Sequence, residues 1–308
     1  MSEIKKIIIL MFLLAIILPI AYSSKLLAWI SPRDNNPANV FQVIGVNEAN
    51  FVASLGESKE PARTIDPVAP IIQEPVIENK EFIAPQKPYR ILIMGDSLVA
   101  VSGGFGEIME QRLITMNEVD VLREGKVSSG LMRPDYFDWK KESLKLTNSF
   151  NPNIAIVMMG TNDAQSIEFK EDGIKKFLSY GSHEWDLEYA NRIKAFNSQL
   201  TSRGVTVYWI GLPAMRDAAY AKKIRHLNEI IEEQIKENSQ VRYISSEDLM
   251  AGDKVAYQAF IPDDKGVMHA TRIADGIHLS YFGGTYLVGE VIEELKKDID
   301  LGEIISEE

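Results

Sequence analysis

The chain has 308 residues, 45% hydrophobic and 25% charged, the make-up of a globular protein, which excludes a fibrous, collagen-like or wholly disordered polymer. Its 33 Lys and Arg against 44 Asp and Glu leave a formal charge of -11, which argues against nucleic-acid binding, because phosphate backbones need a basic footprint. With no cysteine, disulfides, thiolate metal sites, iron–sulfur clusters and a cysteine nucleophile are all excluded.

At the N-terminus, Lys5 and Lys6 precede an unbroken apolar run from Ile7 to Tyr22. A basic region followed by an apolar one is the pattern of an export signal, and Ala21-Tyr22-Ser23 offers small residues for cleavage after Ser23. The run is short for a span of about 20 residues, but Leu26-Leu27-Ala28-Trp29-Ile30 extends it with an interfacial tryptophan. Residues 1–23 therefore read as a signal peptide or signal anchor. An extracytoplasmic (periplasmic) body tethered to the inner membrane by this segment is the expectation. Residues 24–88 read as a juxtamembrane segment and linker, because six of the thirteen prolines fall between Pro61 and Pro88.

From Tyr89 the pattern changes. Short apolar runs at 89–94, 154–159 and 205–210, with weaker ones at 119–122 and 241–245, suit strands buried on both faces. Helix-period segments lie between them at about 105–116, 138–149, 184–203, 217–237 and 282–298. Regular β–α alternation predicts an α/β fold over 89–300. The expected form is a three-layer, doubly wound sandwich with a five-stranded, mainly parallel sheet, and 301–308 is an acidic tail.

In such sheets ligands bind beyond the carboxyl ends of the strands, near the switch in strand order. Four polar patches fall where they can meet at that edge. Met94-Gly95-Asp96-Ser97 follows the first run; a serine there exposes its hydroxyl at a helix N-terminus, or simply caps the helix. Ser128-Ser129-Gly130 is by itself a small-residue loop. Gly160-Thr161-Asn162-Asp163 follows the third run, and Asn162 either points its amide at an oxyanion or serves ordinary turn chemistry. Asp275-Gly276-Ile277-His278 puts an acid three residues before an imidazole, as in the orienter and base that a serine nucleophile requires. His183, His226 and His269 read as structural.

The order of these patches resembles the SGNH (GDSL-type) esterase and acyl-hydrolase family over roughly 89–300. Ser129-Gly130-Leu131-Met132-Arg133-Pro134-Asp135, the run from Trp209 to Arg216, and Arg272-Ile273-Ala274-Asp275-Gly276-Ile277-His278 resemble a membrane-tethered bacterial subfamily of uncharacterised function. Ser129 departs from the group, in which Thr is the more familiar residue. The resemblance implies that Ser97 is the nucleophile, His278 the general base and Asp275 the orienter. It also implies an oxyanion hole formed by the backbone N–H groups of Ser97 and Gly130 with the Asn162 side chain. Asp96 is read as fixing its turn rather than as the triad acid. No cofactor and no metal are implied.

Two further stretches bear on substrate choice. The polar insertion 163–189 is expected to form a pocket wall or lid, with Trp185 or Tyr180 stacking on a sugar ring; the competing reading is a Trp that anchors the core at a helix start. A turn at Asp263-Asp264-Lys265-Gly266 predicts a hairpin within 251–274. Arg272 just after it, or Arg216, either binds a substrate anion or forms a plain ion pair. The expected activity is removal of O-acyl groups, acetyl first, from an envelope polysaccharide or peptidoglycan. Alternatives are O-acyl transfer to a glycan by the same triad, a metal phosphoesterase on Asp96, Asp163 and His278, and a non-catalytic envelope assembly or glycan-binding protein.

Overall fold

In the computed structural model the described residues are 82–171, 174–251 and 257–302. All of them belong to the second of two compact units, Pro75–Glu308. The signal or anchor reading of 1–23, most of the linker and the tail beyond Gly302 lie outside them. Among the described residues no helix is long and apolar enough to cross a membrane.

Five strands form one parallel sheet: β1 (Tyr89–Gly95), β2 (Val119–Gly125), β3 (Ile154–Met158), β6 (Thr206–Ile210) and β7 (Val241–Ile244), in the order β2-β1-β3-β6-β7. β3 and β6 are buried throughout and β1 at all but one position, as near-continuous apolar runs require; the flanking β2 and β7 are only partly buried. Each long helix starts on a side-chain cap: Asp138 on α3 (Trp139–Phe150), Ser182 on α4 (His183–Thr201), Asp217 on α5 (Ala218–Ile235) and Ser280 on α7 (Tyr281–Leu295).

The chain steps outward from β1 to β2, then back across to β3, β6 and β7. Right-handed crossovers therefore place α2 (Phe105–Leu113) on the face opposite α4 and α5. The packing agrees: α2 packs on α7 and α7 on α6 (Ser246–Ala251), while α3 packs on α4 and α4 on α5. The strand order reverses between β1 and β3, so the residues that follow these two strands flank the switch point.

Three features differ from the sequence reading. Residues 167–178 form an antiparallel hairpin, β4 (Ile167–Glu171) and β5 (Ile174–Leu178), inside the expected polar insertion. The end of the expected linker packs on the body: the Arg242 guanidinium lies 3.9 Å from the centre of the Phe82 ring, and Lys87 pairs with Asp300 at 2.9 Å. Leu301, expected in the tail, is 2% exposed and belongs to the core. The expected second hairpin is present as β8 (Phe260–Pro262) and β9 (Met268–Ala270).

Candidate active site

β1 ends at Gly95, and a one-turn helix, α1 (Ser97–Ala100), begins two residues later with Asp96 as its cap. Asp96 is buried and does more than cap. One carboxylate oxygen accepts from the Leu98 N–H at 3.0 Å; the other accepts from Gly160 N at 3.1 Å, Thr161 N at 2.9 Å and Thr161 Oγ1 at 2.6 Å. It thus ties the turn after β1 to the turn after β3. Burial raises the carboxyl above its ordinary range, against the pull of these hydrogen bonds.

Asp163 makes the next tie. Its two oxygens accept from the backbone N–H of Leu131 at 3.0 Å and of Met132 at 2.8 Å, clamping the segment that follows Gly130. The fit leaves room only for glycine at 130, since a Cβ there would fall 2.1 Å from an Asp163 oxygen. Burial pushes the Asp163 carboxyl up to about 6; the two N–H bonds act downward and the Asp96 charge upward. Arg192, held by Glu188 at 2.6 Å, grips the same segment from α4 by donating to the Leu131 carbonyl at 2.9 Å.

The Asn162 amide nitrogen donates to the Ser129 carbonyl at 3.0 Å and lies 3.3 Å from Thr161 Oγ1. It therefore anchors the peptide whose other end is the Gly130 N–H. In a trans peptide the N–H points opposite to the C=O, so anchoring the carbonyl fixes the direction of that donor. Among the described residues, the N–H groups of Ser97 and Gly130 donate to no backbone or side-chain acceptor. The Ser129 hydroxyl donates to the Lys126 carbonyl at 2.6 Å and accepts from Trp139 Nε1 at 2.9 Å, a packing role.

His278 and Asp275 arrive on the turn just before α7. Gly276 sits at φ +74°, and a Cβ there would collide with the Arg216 side chain at 2.6 Å. Arg216 straps the turn, with its N–H on the Gly276 carbonyl at 3.1 Å and its guanidinium on the Ala274 carbonyl at 2.6 Å. Asp275 Oδ1 accepts from the N–H groups of Ile277 at 2.8 Å and His278 at 3.0 Å, while Oδ2 lies 2.7 Å from His278 Nδ1. Burial acts upward on the Asp275 carboxyl, but the hydrogen bonds from His278 and the two backbone N–H groups outweigh it and hold it below its ordinary range. A carboxylate only accepts, so Nδ1 carries the proton and Nε2 is left to accept from the Ser97 hydroxyl, 2.8 Å away.

Ser97, His278 and Asp275, expected to meet, are therefore joined in one hydrogen-bonded line. The side chains of His278 and Asp275 are 25% and 39% exposed, so solvent reaches this side of the line.

Two expected substrate contacts are corrected. Trp185 is completely buried: its indole N–H donates to the Gln165 carbonyl at 3.0 Å and its ring packs edge-on against Tyr180, so it anchors the core and cannot stack on a sugar. Arg272 is 7% exposed and donates to the carbonyls of Ala214 at 2.9 Å and Thr271 at 3.2 Å, and burial pushes its guanidinium down to about 10. It fastens the segment leading to the Asp275 turn and cannot reach a substrate anion. His226 and His269 pair with Asp186 and Asp263 at 2.8 and 3.0 Å, away from the line. Asp96 and Asp163 give their oxygens to N–H and O–H donors, which leaves the phosphoesterase reading without a metal cradle.

The Asp163 clamp and the two arginine grips, from Arg192 and Arg216, were missed in the sequence. Each acts on a backbone group distant along the chain, and no local pattern marks such a partner.

Comparison with solved structures finds the same architecture elsewhere. LAE5, an α/β hydrolase from the metagenome of Lake Arreo, Spain, aligns at a TM-score of 0.51 and 10% identity, covering 70% of this chain and 98% of that one. A catalytic mutant of the acetylxylan esterase Axe2 from Geobacillus stearothermophilus aligns at 0.50 and 10%, covering 69% and 96%. A GDSL-like lipase from Bacteroides thetaiotaomicron gives 0.46 and 14%, covering 69% and 90%. At these identities the first two likenesses show a shared fold, the α/β architecture expected from the alternating strands and helices. No curated protein matches the sequence. Residues 90–294, more than half of the chain, match the family described as protein of unknown function DUF459, and the chain belongs to that family.

Proposed function

We propose that the protein is a serine ester hydrolase working through Ser97, His278 and Asp275. The observation that carries this reading is the line Ser97 Oγ–His278 Nε2 at 2.8 Å and His278 Nδ1–Asp275 Oδ2 at 2.7 Å, assembled across 181 residues of sequence. A serine hydroxyl becomes a nucleophile when an adjacent imidazole takes its proton, and the ionised Asp275 holds the required tautomer and stabilises the imidazolium. Ser97 Oγ attacks the ester carbonyl carbon while its proton passes to Nε2. The resulting oxyanion is received by the Ser97 and Gly130 N–H groups. Asn162 joins as a third donor by exchanging its long 3.3 Å contact to Thr161 for the oxyanion. His278 then returns the proton to the leaving alcohol. A water, deprotonated by the same imidazole, releases the acid and restores Ser97. The solvent access of His278 favours water over a second sugar hydroxyl as acceptor.

As substrate we propose an O-acylated carbohydrate of the cell envelope, polysaccharide or peptidoglycan. The support is the acetylxylan esterase among the fold relatives and the export-signal pattern ahead of the body; a membrane-tethered position outside the cytoplasm is part of the proposal. The test is hydrolysis of p-nitrophenyl acetate and of acetylated glycans by the full-length chain beside Ser97→Ala. The reading predicts turnover that Ser97→Ala abolishes; turnover equal in both proteins contradicts it.

A further inference from the structure

A groove of about 320 Å³ opens beside Gly130, at the lower end of the roughly 300–1,000 Å³ usual for ligand pockets. Its floor is apolar: Leu131, Trp139 and Phe196 are buried and Phe137 is half-buried. Every lining residue comes from 130–140 or from α4 between Asn191 and Phe196, and none comes from the turn that carries Asp275 and His278.

That one-sidedness identifies the occupant. In the tetrahedral intermediate the former carbonyl carbon bears four groups: Ser97 Oγ, the oxyanion, the leaving oxygen and the acyl carbon. The leaving oxygen must take its proton from His278 Nε2, so the alcohol part lies on the His278 side. The oxyanion faces the Ser97 and Gly130 N–H groups. The remaining substituent, the acyl chain, is directed away from His278, and the groove bordered by Gly130 has no residue of the His278 turn in its lining. Resting on the serine-hydrolase reading above, we infer that this groove is the acyl-chain site and that the enzyme takes acyl groups longer than acetyl. The apolar floor suits a methylene chain, while Asp138, Lys140, Asn191 and Arg192 stand among the other lining residues. Each methylene withdrawn from water contributes about fourfold in binding.

The experiment measures kcat/KM of the full-length chain on p-nitrophenyl octanoate and p-nitrophenyl acetate and reads their ratio. Ala195 and Asn191 stand one helical turn apart at exposed positions of α4, so Ala195→Trp and Asn191→Trp put an indole into the groove without disturbing the core. The control is Lys194→Trp, on the same helix outside the groove, where Lys194 makes only an exposed pair with Glu237 at 3.6 Å. The expected result is a wild-type ratio of at least about ten. It falls about tenfold or more in each groove variant and holds in the control. A wild-type preference for acetate, an unchanged ratio in both groove variants, or equal loss on both esters overturns the acyl assignment while leaving the hydrolase reading standing. Absence of turnover on both esters by wild type overturns the hydrolase reading and this inference together.

Discussion

Two carboxylates, each belonging to one of the four motif blocks, show how one residue type is put to opposite uses. Asp163 lies in the interior and accepts two backbone N–H bonds, yet burial lifts its carboxyl to about 6. Asp275 also accepts two backbone N–H bonds, but it sits at the protein surface against an imidazole, and its carboxyl is held below the ordinary range. The buried acid fastens the Gly130 segment, so its work is positional. The exposed acid must remain ionised beside an imidazole that gains and loses a proton. Environment, not residue type, separates scaffold from chemistry.

That contrast can be broken or sharpened by substitution. The largest effect is expected at the imidazole: His278→Ala should lower kcat on an aryl acetate by about 10⁴–10⁶-fold. Its thermal unfolding midpoint should stay near wild type, because the ring is partly exposed and packs no core. Asp275→Asn removes the ionised orienter while keeping its shape, and steady-state kinetics should show a loss of about 10³–10⁴-fold in kcat. A wild-type rate in that variant would mean the surface acid is as structural as the buried one. Asn162→Ala should cost about 10²–10³-fold in turnover with the fold retained by circular dichroism; an unfolded variant would assign Asn162 to the scaffold alone.

The smallest expected effect is on stability and concerns Asp163. Because its folded-state carboxyl titrates near 6 against an ordinary 3.8, the folded protein holds this proton more tightly than the unfolded chain. The stability this group contributes is therefore complete below about pH 4 and is lost as pH rises through 6, on the order of 2–3 kcal/mol. Asp96 is shifted in the same direction. Denaturant unfolding of wild type and Asp163→Asn between pH 4 and 7 reads the difference. The wild type should lose stability relative to the variant as pH rises, and a difference that stays flat would place the Asp163 carboxyl in its ordinary range.

Much of the fold was legible because it rests on local pattern. The apolar runs of β1, β3 and β6 have no polar interruption, and the long helices begin at Asp138, Ser182, Asp217 and Ser280, whose side chains cap them. The hairpin β4–β5 was not legible: Lys and Glu along it look like a solvated loop, and its pairing is between strands rather than within one. The same limit applies at the site. Ser97, Asp275 and His278 lie in short motifs that carry their chemistry with them. Trp185, by contrast, follows a turn in an insertion and fits either a rim aromatic or a core anchor; its burial depends on Tyr180 and Tyr189, which pack against it only once α4 is in place. Arg216 and Arg272 likewise read as anion ligands or ion-pair partners, and only the folded chain supplies the carbonyls they hold.

The central claim is that Ser97 is an activated nucleophile. A fluorophosphonate probe reacts with such a serine and leaves a stable adduct. Incubation of the full-length chain followed by peptide mass analysis should find one probe per chain, on the peptide bearing Ser97, and His278→Ala should abolish the labelling. An unlabelled wild-type protein, or a probe attached at any other residue, would contradict the account.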